Sequence, residues 1–235
     1  MIASIKGKLV EAIWNGAGVK GFPADLVRPA QRKLAMIAAA VELTALRQPP
    51  GNRLEALKGD RLGQHSIRTT TNGASVSSGA TVRPTRSKSS TIIEGSRMRL
   101  RGWRDRGVRH PPPRPAVSSS RTAMPGPHGK ARASLKGLVM IGPNPPVHPG
   151  EILREEFLVP LNLTAYAVAR DCHVPRTRIE RLSRCEGPVT ADTALRLGRY
   201  FGTGPEFWMN LQSLYDLAMA AQAATDIGAI APRAA

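Results

Sequence analysis

The sequence predicts a mainly α-helical chain: a five-helix bundle over residues 140–220, an incomplete α/β segment over residues 1–68, and a basic stretch without regular structure between them. Three observations predict it. Apolar residues recur at helical spacing, between caps and breakers, from Pro149 onward. Aromatic residues make up only 4% while Gly 22 and Pro 20 together account for 42 of 235 residues, a loop-prone mixture that argues against one uniformly packed globule. The formal charge of +17 is unevenly spread, with 11 basic and 5 acidic side chains over 1–68, 14 and 2 over 69–139, and 9 and 10 over 140–235.

The middle stretch, residues 69–139, lacks apolar periodicity. It is expected to be a disordered linker, because it offers too little apolar surface to offset the entropy of ordering it. Its positive charge suits either a solvated spacer or loose contact with phosphates. Two cysteines exclude a disulfide scaffold, no run of about 18 apolar residues suggests a membrane span, and the opening MIASIKGKLVEAIWNG has no apolar core of a secretory signal. A soluble, cytoplasmic protein with no membrane partner is expected.

In the C-terminal part, GEILREEFLVPLNL carries Ile152, Leu153, Phe157 and Val159 on a first helix that Pro160 ends. Thr164 is a suitable N-cap for a second helix, AYAVARDC, with Ala165, Val168, Ala169 and Cys172 along one face. His173 interrupts it. Val174-Pro175 then leads into RTRIERLSR, where Pro suits the first turn and Ile179 and Leu182 recur at i, i+3. Two short helices about a tight turn read as a helix-turn-helix. A fourth helix runs from a Thr190 cap to Gly202 with Ala194, Leu197 and Phe201 inward. A fifth follows Pro205, and its broad apolar stripe, including Phe207, Trp208, Leu211 and Tyr215, is expected to dimerise. Residues 221–235 read as a flexible tail.

The third helix concentrates cations: Arg176, Thr177, Arg178 and Arg181 lie in its N-terminal turns, with Arg184 beyond, in a part of the chain that is otherwise near neutral. Arginine pairs bidentately with guanine and threonine contacts a thymine methyl, so these residues are candidates for reading bases. Thr164 and Arg170 on the second helix are candidates for phosphate contact. A solvated basic face is the plainer alternative. Cys172, Cys185 and His173 are too few for a metal site, so no metal or cofactor is expected, and Cys172 reads as a small core residue.

Three blocks in order, PPVHPGEILREEFLVPLNLT, the Val174 to Ile179 run V-P-x-x-R-I, and TADTALRLGRYFGTGPEFWMNLQ, resemble the HigA/VapI antitoxins of the XRE (Cro/C1-type) helix-turn-helix class. The resemblance covers about residues 140–220. It implies a lambda-repressor-like fold, a homodimer, binding to the palindromic double-stranded operator of its own operon, and neutralisation of a cognate HigB-type toxin. His173 stands where that family has Gly in the turn, and Cys185 and Glu186 replace a Gly and a basic or neutral residue after the third helix. These departures keep open a toxin-binding module that does not touch DNA.

In the N-terminal part, a short strand (Ala3 to Ile5), a helix through VEAIWNG and a long helix from about Leu26 to Leu46 are expected, the last with Ala30, Leu34, Ile37, Val41 and Leu43 buried. The blocks F-P-x-D, A-x-R-K-L, P-P-G-N-R-L-E-x-L-x-G-D-R and S-I-R resemble the first two-thirds of a HigB toxin, a RelE-superfamily messenger ribonuclease. That family ends in strands bearing Trp-Arg and a terminal Asp-Tyr-His, neither of which follows Arg68. Codons allowed by Thr69 to Glu94 permit a frame displaced by two bases that ends in Asp-Tyr-His and a stop. The segment therefore reads as a frameshifted toxin fused through translated intergenic sequence to an antitoxin whose own start is Met140. Lys58, Arg61 and Arg68 would supply only part of the charge such cleavage needs. No catalytic residue is assigned, and residues 1–68 are expected to be poorly ordered and without ribonuclease activity. A fusion with residual ribonuclease activity is the alternative.

Overall fold

The computed structural model describes residues 2–6, 8–17, 22–71, 74–77, 80–84, 91–95, 99–100, 142–224, 226–231 and 233. Of the linker expected over 69–139, residues 101–139 lie outside them, as does the expected start at Met140.

The N-terminal part is ordered, against expectation. Strand β1 (Ile2–Lys6) leads to α1 (Lys8–Trp14) and α2 (Ala24–Ala39). Helix α2 is buried nearly all round: Leu34, Met36, Ile37 and Ala39 are almost inaccessible, and Ala-rich turns let neighbouring backbones approach. It packs against α1 and against the last long helix of the chain. The periodicity predicts burial of one side of this helix, and packing on two neighbours extends it nearly all round. The helix is also shorter than its periodicity suggests. Ala40 turns extended (φ −67°, ψ 128°), Val41 is 58% exposed instead of buried, and the chain restarts as α3 (Leu43–Arg47). The rotation between α2 and α3 takes Ala45 and Leu46 inside in place of Val41.

A 3-10 turn at Pro50–Asn52 follows, ending on Asn52, which is inaccessible. Its side-chain Nδ2 donates to Leu46 O at 2.7 Å, its Oδ1 accepts from Lys33 Nζ at 2.7 Å, and its carbonyl accepts from Arg68 N at 2.6 Å. One buried amide thus ties three segments together.

Strands β2 (Glu55–Ala56), β3 (His65–Ser66), β4 (Thr69–Thr71), β5 (Ala74–Ser77), β6 (Ala80–Pro84), β7 (Thr91–Gly95) and β8 (Arg99–Leu100) form two sheets, in the orders β1-β7-β6-β3-β2 and β4-β5-β8. Strand β1 is parallel to β7, and β6 and β7 pair antiparallel. The boundary expected after Arg68 is therefore crossed by strands. Consecutive β-branched residues, Thr81 and Val82 in ATVRP and Thr91, Ile92 and Ile93 in TIIEG, favour extended backbone even without a long apolar run.

In the C-terminal part α4 (Pro149–Ile152) continues as a π-helix, Leu153–Leu158, marked by Val159 N donating to Arg154 O at 2.9 Å. His148 caps α4, its Nδ1 accepting from Gly150 N at 2.9 Å. Gly150 is required by close packing, since a Cβ there would sit 1.7 Å from Leu182 O. Then come α5 (Ala165–Asp171), α6 (Arg176–Ser183), α7 (Ala191–Phe201) and α8 (Pro205–Ala223), with a 3-10 turn at Ile227–Ala229 in what was expected to be flexible tail. Thr164 and Thr190 cap α5 and α7 through Ala167 N and Thr193 N, and Gly202 (φ 68°) ends α7 in the left-handed region.

The core gathers Phe157, Phe201, Phe207 and Trp208, with Phe157 4.6 Å from Phe201 and 5.3 Å from Trp208 between ring centroids. Trp208 Nε1 donates to Thr203 Oγ1 at 2.9 Å, which satisfies its one polar atom inside the core. Among the described residues, no helix is long and apolar enough to cross a membrane.

Candidate nucleic-acid interface

The α5–turn–α6 unit is held by Val168, Ala169, Ile179 and Leu182, all inside, which turns the opposite faces of both helices to solvent. His173 takes φ 53° and Cys185 φ 63°, so both occupy the left-handed conformation that Gly would adopt without steric cost. The turn closes through Val174 N donating to Ala169 O at 3.0 Å. Cys172 is buried, and burial pushes its thiol up, as expected for an inert core residue.

Thr164, Arg170, Arg176, Thr177, Arg178 and Arg181 are all exposed on this unit. They differ in freedom. Arg176 Nε donates to Glu180 Oε1 at 2.6 Å, and its guanidinium lies 5.7 Å over the Tyr166 ring. Arg178 is ion-paired with Asp192 of α7, and Asp192 also accepts from Arg196 Nε at 2.8 Å. Arg196 in turn donates to Cys172 O at 2.9 Å, tying α7 to the end of α5. Arg170 Nε donates to Asp171 Oδ1 at 2.8 Å, and Tyr200 OH donates to Asp171 Oδ2 at 3.3 Å. The hydrogen bonds from Arg196 and Arg178 hold the Asp192 carboxyl below its ordinary range, and that from Arg170 does the same for Asp171. Arg181 makes no ion pair among the described residues, and Thr164 spends its hydroxyl on the α5 cap.

Tyr166, Asp192, Arg196 and Tyr200 thus border the cationic face without having been singled out from sequence. Asp192 and Arg196 stand at i, i+4, a legible spacing, but the link from Asp192 to Arg178 is tertiary.

The expected dimer stripe is corrected by burial. Phe207, Trp208 and Leu211 are at most 1% exposed within one chain, packed on Phe157 and Phe201, so they are not offered to a second subunit. Tyr215 is half-buried, edge-on to His148 at 4.7 Å. Large apolar residues that α8 does expose are Met209, Leu217 and Met219. An apolar stripe on a terminal helix fits a domain core as readily as an interface, and here the core takes it.

Lys58 is exposed and Arg68 half-buried, with no ion pair or hydrogen bond joining them, and the Arg61 side chain lies outside the described residues. Other cations of that segment are engaged instead. Arg28, Arg32 and Lys33 on α2 meet Glu151 and Glu156 of the α4–π run. A cavity of about 540 Å³ opens beside this cluster, lined in part by Arg32, Arg53, Glu155 and Pro160. Among the described residues no group of three or more His, Cys, Asp or Glu stands together as a metal site.

No protein-family profile matches the chain. It is 51% identical over 88 residues to the virulence-associated protein I of Dichelobacter nodosus, covering 37% of this chain and 82% of that protein. It is 40% identical over 72 residues to antitoxin HigA-1 of Vibrio cholerae, covering 31% of this chain and 68% of that one. Among solved structures, Pseudomonas aeruginosa antitoxin HigA with the higBA promoter is 44% identical and spans 38% of this chain and 99% of that one, with a TM-score of 0.36. Through its helix-turn-helix part the chain therefore belongs to the HigA/VapI antitoxin family of HTH-type regulators.

Proposed function

We propose that the chain is a sequence-specific DNA-binding antitoxin that represses its own operon, with α6 laid in the major groove of a palindromic operator and a homodimer spanning its two half-sites. The observation that carries this reading is the exposed arginine cluster of α6, in a part of the chain, residues 140–235, that has only 9 basic side chains against 10 acidic ones in all. Arg181 and Arg176 read bases, Arg178 does so on exchanging Asp192 for DNA, and Arg170 with the N-terminus of α5 grips phosphate. The solved HigA with its promoter supports this direction. Dimerisation then uses residues other than Phe207, Trp208 and Leu211, and exposed Leu217 and Met219 of α8 suit it. The protein works in the cytoplasm, where the operon is. It is not an enzyme in this reading.

The cognate partner is a HigB-type toxin. Residues 1–68 descend from such a toxin, displaced in frame after Arg68, and lack the Trp-Arg and Tyr-His groups that cleavage needs. A transcriptional reporter driven by the DNA upstream of the gene tests the reading. Repression by the full chain that is lost on Arg176→Ala with Arg181→Ala supports it, and equal reporter output with and without the protein contradicts it. Salt-sensitive cleavage of ribosome-bound messenger by the purified chain would favour the fusion-enzyme alternative.

A further inference from the structure

The seam between α2 and the α4–π run has the build of an interface between two proteins, with every base from the N-terminal segment and every acid from the antitoxin part. Arg28 grips Glu151 with both prongs, Nε to Oε1 at 2.9 Å and Nη2 to Oε2 at 2.6 Å, and gives further N–H groups to the carbonyls of Pro145 at 3.0 Å and Pro146 at 3.1 Å. Arg32 bridges both carboxylates, Nε to Glu156 Oε1 at 2.9 Å and Nη1 to Glu151 Oε1 at 3.3 Å. Glu151 lies in α4 and Glu156, five residues on, in the π run, and both face the Arg32 guanidinium. Lys33 closes on the other oxygen of Glu156, and both side chains are only 6% exposed.

Uncharged contacts set the register. Gln31 Nε2 donates to Asn144 O at 2.6 Å, and Asn210 Nδ2 of α8 donates to Ala39 O at 2.9 Å, at the end of α2. Buried charges at this depth are tolerated only with partners in place, and Glu156, covered here, has Arg32 and Lys33 across from it. An apolar centre with paired charges and satisfied polar groups is the anatomy of specific recognition between chains.

Resting on the antitoxin reading, we infer that the α4–π–α8 face is the toxin-docking surface of this antitoxin and that residues 22–52 of the same chain occupy it in cis. The ligand the face takes is a helix presenting two arginines one turn apart followed by a lysine. The intact chain is closed to a toxin in trans while its α6 stays exposed. Severing the chain within 103–139 leaves the segment docked but exchangeable with a partner in trans, and producing the part from Met140 alone leaves the face open.

The test uses the full-length protein with a protease site inserted within 103–139. After cleavage the two halves are expected to co-elute at low salt. Arg28→Glu should raise their dissociation constant at least about tenfold, and Glu151→Arg added to it should restore association. Labelled N-terminal half, recovered from cleaved protein, should enter cleaved chains by exchange and be refused by intact ones. Halves that separate on cleavage, an Arg28→Glu variant that associates unchanged, or equal uptake by intact and cleaved chains would overturn the inference. DNA binding by the same cleaved sample is read separately, so failure of docking is distinguished from failure of the antitoxin reading.

Discussion

Lys33 and Glu156, 123 residues apart in sequence, meet as an ion pair buried between the N-terminal segment and the helix-turn-helix part. Burial pulls the Lys33 ammonium below its ordinary range, against the attraction of Glu156 that raises it. Breaking such a pair leaves one charge stranded in a dry site. Glu156→Gln is expected to cost about 3–5 kcal/mol of unfolding free energy, and Lys33→Met with Glu156→Leu less than the two single changes together, because the double change removes both desolvation penalties and leaves only Asn52 Oδ1 without its donor and Arg32 with Glu151 alone. Urea unfolding of the three proteins checks this, and a single variant as stable as the parent would refute the pairing.

Trp208→Ala separates a core from a dimer seam. With the ring inaccessible and packed on Phe157, the substitution should cost about 3–5 kcal/mol and lower stability equally at all protein concentrations. A concentration-dependent loss would instead point to an interface.

His148 sets a pH dependence. Burial keeps its imidazole below the ordinary value of about 6.5, with Asp216 and Glu151 pulling the other way, and its Nδ1 must be unprotonated to accept from Gly150 N. The unfolded chain therefore binds the proton more readily than the folded one. Its stabilising contribution is complete above about pH 6.5 and is lost as pH falls through the lower folded value. Thermal unfolding across pH 4.5–7.5 should show this loss, and His148→Asn, which keeps the cap, should flatten it.

Asp192 restrains Arg178 by an ion pair that DNA binding has to break. Asp192→Asn weakens that restraint and removes a negative charge beside the phosphates, so affinity for operator DNA should rise about threefold to tenfold at low salt and less at high salt. Fluorescence anisotropy at two salt concentrations measures it. A weaker complex would mean that Asp192 holds Arg178 in its reading position.

The helix caps and breakers of the C-terminal part were legible because they are local: Thr164, Thr190 and Gly202 each act on backbone within a few residues. The exposed cations of α6 were legible for the same reason. What the sequence hid is tertiary. Nothing near Val41 signals that α2 stops at Ala39, since the periodic pattern runs on and only packing of Ala45 and Leu46 redirects the chain. Arg28, Arg32 and Lys33 look like the solvated side of an amphipathic helix until Glu151 and Glu156 are placed opposite them. The stripe of Phe207, Trp208 and Leu211 carries no mark that tells a core from a dimer seam.

The measurement that bears most directly on the account is binding of the full-length chain to duplex DNA from upstream of its own gene, with unrelated duplex as competitor and salt varied. Specific binding is expected that weakens steeply with salt, and Arg181→Ala should cost about 1–3 kcal/mol of operator affinity while leaving binding to unrelated DNA nearly unchanged. Equal affinity for both duplexes, or an Arg181→Ala protein that binds the operator as tightly as its parent, would contradict it.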